Sequence, residues 1–399
     1  MADREFWRRN QFAVTAASFM GFAGFTLVMP FLPLYIHQLG VDDVGEIALW
    51  AGLSLGVTPA VTAVLSPFWG RMADRFGRKL MVERSLVSFV IIMSAMAYVT
   101  EAWHVLALRA IQGVFAGYGG LTLAMAAESA PRDRMATAIG LVQTAQRLGP
   151  ALGPVIGGVV AEVVGLRQAF FVTAGFYLVA LGVVVVLYRD PAGPSVGAAR
   201  DGGARVSVRR LLSAPGFALV MAAIFVMTFV DRSFAPILPL YIERLGASPA
   251  QVPLVSGILF SVAALGAVAG NQACEALLRR VAPPVVIAGG AVVSAAGLGA
   301  FLATGHVGVM AAALLVFGVG GGTAITAAYS VGGRAVPAEA HATGFGFLTG
   351  ASLAGLALSP VVSGLLSKGH LLAIFAVDLA LLAGVALAVF RRMPPHTRE

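Results

Sequence analysis

MPFLPLYIHQLG, Met29 to Gly40, returns as APILPLYIERLG, Ala235 to Gly246, an offset of 206 residues. Each copy closes a long apolar stretch. The same offset sets Pro131 on Pro337, Ala136 and Thr137 on Ala342 and Thr343, Gly140 on Gly346, Gly149 on Gly355, Pro154 on Pro360 and Gly158 on Gly364. A repeat of this length is a duplicated structural unit. The chain therefore reads as two related halves, residues 1–187 and 216–399. They are joined by a polar segment, 188–215, rich in Gly, Ala, Ser and Arg, with the composition of a flexible linker.

The solvent of these halves follows from composition. Of 399 residues, 58% are hydrophobic and 12% charged, about half the charge usual in a water-soluble domain. Stretches such as Leu86 to Val99, Val114 to Ala127 and Val281 to Thr304 carry no charge at all. A bilayer core of ~30 Å needs ~20 apolar residues per helical span, and each helix satisfies its own backbone there. Apolar segments fall at about 11–37, 47–69, 82–100, 103–127, 136–164, 168–188, 216–242, 252–274, 283–304, 307–329, 342–366 and 370–390. The expected fold is an all-α membrane protein of twelve transmembrane helices in two pseudo-symmetric six-helix bundles. Because six spans separate the repeats, the halves share one orientation, about an axis along the membrane normal.

The net charge of +8 raises nucleic acid as a partner, and the distribution answers it. With the N-terminus cytoplasmic, Arg4, Arg8, Arg9, the Arg71 to Arg84 cluster, the 188–215 segment, Arg279, Arg280, Arg334 and the tail all fall inside. Only Arg167, Arg244 and Lys368 fall outside, while Arg109, Arg147 and Arg232 lie within spans. This is the positive-inside pattern, with both termini cytoplasmic and the basic charge directed at lipid rather than nucleic acid. The first apolar stretch is too long for a signal-peptide core and reads as a retained helix. Cys274 is the single cysteine, and the histidines are scattered, so no metal spacing is present.

The segment between spans two and three is GRMADRFGRK, Gly70 to Lys79. It resembles the signature loop of the major facilitator superfamily. LRAIQGVFAG, Leu108 to Gly117, resembles the motif centred on an intramembrane Arg in proton-coupled members. GPALGPVIGG, Gly149 to Gly158, looks like the motif that marks the exporting antiporters. Gly149, Gly153 and Gly157 form a smooth face, and Pro150 and Pro154 remove backbone donors and are expected to bend the span. The best likeness is to the twelve-span drug:proton antiporters, which export lipophilic or cationic compounds in exchange for protons. The likeness assigns gating to Gly70, Asp74, Arg75, Gly77 and Arg78, and to Gly149, Gly153, Pro154, Gly157 and Gly158. The corresponding second-half stretch, GNQACEALLRR from Gly270, is degenerate.

A charge at a span centre costs ~2.5–3.5 kcal/mol on insertion scales, so each calls for a partner or a task. Asp231 lies about fourteen residues before the outer end of span seven, ~21 Å at 1.5 Å per residue, near mid-membrane. A carboxyl there can load and release a proton. By the family likeness, spans one, four, seven and ten line a cavity, which makes Asp231 and Arg109 the expected proton-coupling residues. A permanent Asp231–Arg pair tying helices is the competing reading. Arg232 projects ~100° from Asp231, so the two need not satisfy each other. Gln143 and Arg147 share a face of span five and are expected in the cavity wall. With Arg109 and Asp231, the expected substrate contacts are Phe22, Phe25, Met29, Phe115, Tyr118, Phe229 and Phe234, apolar surfaces that suit variable ligands. Asp378 reads as a structural, helix-facing group, and Gly318, Gly320, Gly321 and Gly322 as a close-packed or hinge segment.

The function expected is secondary active transport: a proton-coupled exporter of small lipophilic or cationic compounds or drugs, in the bacterial cytoplasmic membrane. It would act as a monomer, with the proton gradient as energy source and no cofactor. A sugar or other metabolite exporter, or an importer, of the same fold is the alternative. An enzyme is not expected, because the sequence has no HExxH, no Ser-centred elbow and no nucleotide loop.

Overall fold

The structure, a computed structural model, describes residues 2–131, 134–189, 216–334 and 341–393, and every regular element among them is helical. In chain order the helices are α1 (Ala2–Leu27), α2 (Leu32–Gln38), α3 (Val44–Phe76), α4 (Arg78–Met96), α5 (Ala102–Phe115), α6 (Tyr118–Ser129), α7 (Met135–Val164) and α8 (Leu166–Leu187). They continue as α9 (Phe217–Ser233), α10 (Leu238–Arg244), α11 (Val252–Leu278), α12 (Pro283–Leu302), α13 (Val307–Arg334), α14 (His341–Ser367) and α15 (Ala373–Arg392).

Among the described residues, ten segments are long and apolar enough to cross a bilayer, and the pair α1 and α2, bent by 48°, makes an eleventh. The one expected span left over, the third at 82–100, corresponds to α4. It carries Arg78, Lys79, Glu83 and Arg84 in its first two turns, so its apolar run begins only at Ser85. Span four is one segment made of two helices, broken where Gly117 takes φ +104°. The expectation of a loop at Gly70 to Lys79 is corrected. The α3 helix runs on through Gly70 to Phe76, and the chain turns only at Gly77, φ +93°. A single Gly does not stop a helix, and at 33 residues, roughly 50 Å, α3 is far longer than a bilayer core. The prolines do not break span five either: α7 is continuous through Pro150 and Pro154.

The 206-residue offset reappears in the backbone. The break after Leu27 corresponds to that after Ser233, α2 to α10 at both ends, and Gly40 (φ +92°) to Gly246 (φ +93°). Proline at the second position of α2 and of α10 restarts each helix where no donor is needed.

By contact density the chain forms two compact units: Met1–Val41, Val57–Arg200 and Ala247–Gly257, and Asp42–Gly56, Asp201–Gly246 and Ile258–Glu399. In the first, α1 packs on α7 and α8, and α4 on α8. In the second, α9 packs on α14 and α15, and α12 on α13 and α15. The match extends to atoms. A Cβ on Gly149 would meet Phe19 O, Phe22 Cβ and Ala23 N, while one on Gly355 would meet Phe225 O, Thr228 Cβ and Phe229 N, each 206 residues on. Lipid tails give helices no hydrophobic reason to associate, so such close small-residue crossings carry the packing. The same holds in α13, where Gly318 and Gly322 abut Ala263 and Ala267 of α11, and Gly320 abuts Gly290 of α12.

Candidate functional site

In the first unit, Arg109 is 1% exposed on α5. Its Nη1 donates to Gln112 Oε1 at 2.9 Å, and its carbonyl accepts from Thr58 Oγ1 at 2.8 Å. The guanidinium Nε and Nη2 and the Gln112 amide nitrogen have no hydrogen-bond partner among the described residues. A buried cation with unused donors is costly unless something else meets it, so this group is available to a water, an anion or a moving carboxylate. Gln112, one turn from Arg109, was readable from the i, i+3 spacing.

An aromatic series stands beside α1. The Phe22 and Tyr118 rings are 5.7 Å apart, Tyr118 and Phe89 6.3 Å, and Phe89 and Tyr177 5.1 Å. Gly21 and Gly24 leave the room into which Tyr118 and Tyr177 fit. The Tyr118 hydroxyl donates to Ser18 O at 3.3 Å. Phe22, Phe25 and Phe115 are partly exposed, Met29 is buried, and Gln143 and Arg147 are both exposed on one side of α7. Gln146, not singled out in the sequence, donates to Gly119 O at 2.9 Å and to Thr122 Oγ1 at 3.2 Å, tying α7 to α6.

In the Gly70 to Lys79 segment, nothing among the described residues stands within 4 Å of a Cβ built at Gly70 or Gly77. The Arg75 guanidinium lies 5.2 Å from the Phe76 ring centre, and Arg78 pairs with Glu128 at the end of α6 at 2.7 Å. The side chain of Asp74 lies outside the described residues. Nearby, Arg84 sits 3.5 Å over the Trp69 ring and donates to Phe115 O at 3.0 Å, while Trp69 Nε1 donates to Val114 O at 2.6 Å. These contacts join α3, α4 and the end of α5. On α7, Gly149 and Gly153 lie against Phe19 and Ala23 of α1, and Gly157 against Leu27. Gly158 lies against Pro253 and Leu254 of α11, and the Pro154 carbonyl meets Gly257.

In the second unit, the Asp231 side chain is 48% exposed, and its Oδ2 lies 3.1 Å from Arg232 Nε. The expectation that these neighbours point apart is corrected. Backbone azimuth separates their Cβ atoms, but the long arginine folds back at the end of α9, where the helix stops at Ser233. Phe229 and Phe234 are buried, the latter with its ring 4.9–5.5 Å from those of Phe375, Phe317 and Phe301. Asp378 faces helices, as expected: it is 0% exposed, and its Oδ2 accepts from Ser233 Oγ at 2.6 Å. No group of three or more metal-ligating side chains occurs among the described residues.

Against this geometry stand the comparisons with known proteins. A family model described as Major Facilitator Superfamily matches residues 14–341 and 220–399. Proteins named multidrug resistance protein MdtG, from Citrobacter koseri and Escherichia coli O1:K1, are 32% identical over 285 residues, 70% of this chain and 69% of theirs. Among solved structures, a bacterial homologue of the human lysosomal transporter Spinster, inward-facing and unoccupied, gives a TM-score of 0.74 at 17% identity. It covers 96% of this chain and 94% of that one. A D-xylose–proton symporter gives 0.76 at 14% identity, covering 97% and 98%. At these identities the structural likeness speaks for the fold alone. The duplicated bundles, the small-residue crossings and the family match agree: this multi-pass membrane transporter, not an enzyme, belongs to the major facilitator superfamily.

Proposed function

We propose that the protein exports small lipophilic or cationic compounds in exchange for protons, as a twelve-span drug:proton antiporter of the bacterial cytoplasmic membrane. The observation that carries this reading is its 32% identity, over 285 residues, to the multidrug resistance proteins named MdtG. In this reading α4 is also a span, the third of twelve. Residues 1–187 and 216–399 are six-helix halves joined by a cytoplasmic linker, 188–215, and both termini are cytoplasmic. The placement of Lys and Arg supports that orientation. A monomer moves substrate by alternating access, driven by the proton gradient and without a cofactor.

The residue roles follow from exposure and charge. Asp231 is exposed enough to exchange a proton and, ionised, is held by Arg232; protonation releases Arg232 for another partner. Arg109, with two unused donors, tunes or relays the charge. Phe22, Phe25, Phe115, Gln143 and Arg147 offer the substrate apolar and polar contact, Tyr118 borders them, and Met29, Phe229 and Phe234 back the wall. Gly70, Asp74, Arg75, Gly77 and Arg78 gate one side, with Arg78 anchored to Glu128. Gly149, Gly153, Pro154, Gly157 and Gly158 let α7 pivot closely on its neighbours.

The test is transport in proteoliposomes under an imposed pH gradient, with tetraphenylphosphonium, ethidium and a set of labelled sugars. Gradient-dependent movement of the cations, lost in Asp231→Asn protein that still inserts, is the expected result. Movement of sugars alone would replace the reading with metabolite transport. Full gradient dependence in the variant would remove Asp231 from the mechanism.

A further inference from the structure

The seam between α9 and α14 carries a line of hydroxyls at one-turn spacing. Ser359 Oγ donates to Phe229 O, and Ser363 Oγ to Ser233 O at 2.7 Å. Ser367 Oγ donates to Ser363 O at 2.7 Å, and Ser233 Oγ to Asp378 Oδ2 at 2.6 Å. At Asp378 the line meets a carboxyl with no exposed surface, whose Oδ1 has no hydrogen-bond partner among the described residues.

The duplicated half shows that the fold does not need this line. Shifted by 206 residues, Ser359, Ser363, Ser233 and Asp378 fall on Gly153, Gly157, Leu27 and Val172. The carbonyls that Ser359 and Ser363 bond have Ala23 O and Leu27 O as counterparts, which the first half covers with bare glycine. At these positions the first half sets glycine against carbonyl, with Thr26 Oγ1 bonding Ala23 O from within α1, where the second half sets Ser359 and Ser363, and no carboxyl stands at the counterpart of Asp378. A buried carboxyl is expensive in a bilayer, so its presence in one half only calls for a task.

The other end of the line opens to water. Ser367 lines a pocket of about 640 Å³, together with Asp43, Glu243, Arg244, Lys368 and His370. Under the proposed orientation this face is the outer one. Asp378 lies about a turn and a half into α15 from that end. Charged groups near it are few. The helix α12 has no ionisable residue, and α14 has none between residues 342 and 367. On α9 only Asp231 and Arg232 are charged, and they pair with each other; on α15 Arg391 and Arg392 lie at the opposite end.

We infer that Asp378, with Ser233, is a proton-binding site of the second half, loaded from the polar pocket along the Ser367 and Ser363 face of α14. The site exchanges a proton on Oδ1, and no bond other than O–H is made or broken. Because Ser233 ends α9 directly after Asp231 and Arg232, the charge on Asp378 bears on the same helix end that holds Asp231, the proposed coupling carboxylate. The inference rests on the proton-coupled reading for its meaning but not for its first test.

That test is infrared difference spectroscopy of the purified full-length protein, titrated from about pH 5 to about pH 9, a window spanning ordinary carboxyl and histidine titration. Expected is a protonated-carboxyl band that is absent in Asp378→Asn, fades as pH rises within the window, and is displaced in Ser233→Ala. A band that persists unchanged throughout, or one that never appears, would overturn the site. Should Asp378→Asn not fold, Asp378→Glu and Ser233→Ala must each displace the titration, and an unmoved titration overturns the site equally. In proteoliposomes, tetraphenylphosphonium export by Asp378→Asn should lose at least an order of magnitude of its dependence on external pH. A variant that is merely slower, with the wild-type pH profile, would mark Asp378 as structural. If the band titrates but the wild type moves no cation under a pH gradient, the export reading fails and the site stands.

Discussion

Replacing Gly149 by Ala, and its repeat partner Gly355 by Ala, tests the packing on which both halves are built. At Gly149 the new methyl would stand 2.8 Å from both Ala23 N and Phe19 O and 3.0 Å from Phe22 Cβ. At Gly355 it would stand 2.6 Å from Phe225 O, 3.1 Å from Phe229 N and 3.2 Å from Thr228 Cβ. Ordinary contact begins near 3.4 Å, so each pair of helices must open by about 0.6–0.8 Å against backbone atoms that cannot rotate away. Overpacking against backbone at these distances lies in the upper part of the usual range, about 2–3 kcal/mol, and alanine returns about 0.5–1 kcal/mol of helix propensity, leaving a net loss of about 1–2.5 kcal/mol. For halves of this size that is a fall in melting temperature of roughly 2–10 °C. The controls come from the same repeat: among the described residues nothing stands within 4 Å of a built Cβ at Gly140 or Gly346, so alanine there should hold or raise the melting temperature. Thermal unfolding of the four variants in detergent, followed by intrinsic fluorescence, reads the result. If Gly149→Ala and Gly355→Ala melt at or above the wild type, or the controls fall as far, the seams are not packed as described.

Further outcomes are expected elsewhere. Gly77→Ala forces an L side chain to a φ of +93° at the turn between α3 and α4 and should destabilise by about 1–2 kcal/mol, visible in the same melt. Trp69→Phe removes the bond to Val114 O and weakens the ring beneath Arg84, a combined loss of about 1–3 kcal/mol, with Arg84→Lys losing less than the tryptophan change. Asp231→Asn should insert and melt within about 1 kcal/mol of the wild type, as expected for a half-exposed ion pair, while abolishing gradient-driven cation transport.

The helices were legible because hydropathy and the repeat report the same thing twice. The 206-residue offset marked α2 against α10, and the structure adds that the helix break before each copy obeys it too. Charge alone does not mark a loop. The Arg71 to Arg75 stretch carries enough charge to leave the membrane, but leaving the membrane does not end a helix, and only the positive φ of Gly77 does. Of the site, Arg109 and Gln112 lie one turn apart and were open to inspection. Asp378 and Ser233 are 145 residues apart, and no local spacing announces such a pair. Arg232 reaching Asp231 depended on side-chain length, which a Cβ projection does not contain.

The two matched seams differ in stiffness. Between α1 and α7, glycine meets carbonyl at Gly149, Gly153 and Gly157, and among the described residues a single side-chain bond, Gln11 Nε2 to Ala138 O at 3.0 Å, crosses the seam near the start of α7. Between α9 and α14, each turn of slip must break a hydroxyl-to-carbonyl bond at Ser359 and Ser363. The first seam is thus crossed by one side-chain bond and the second by three, counting Thr228 to Ser352, so duplicated architecture does not mean equal resistance to sliding.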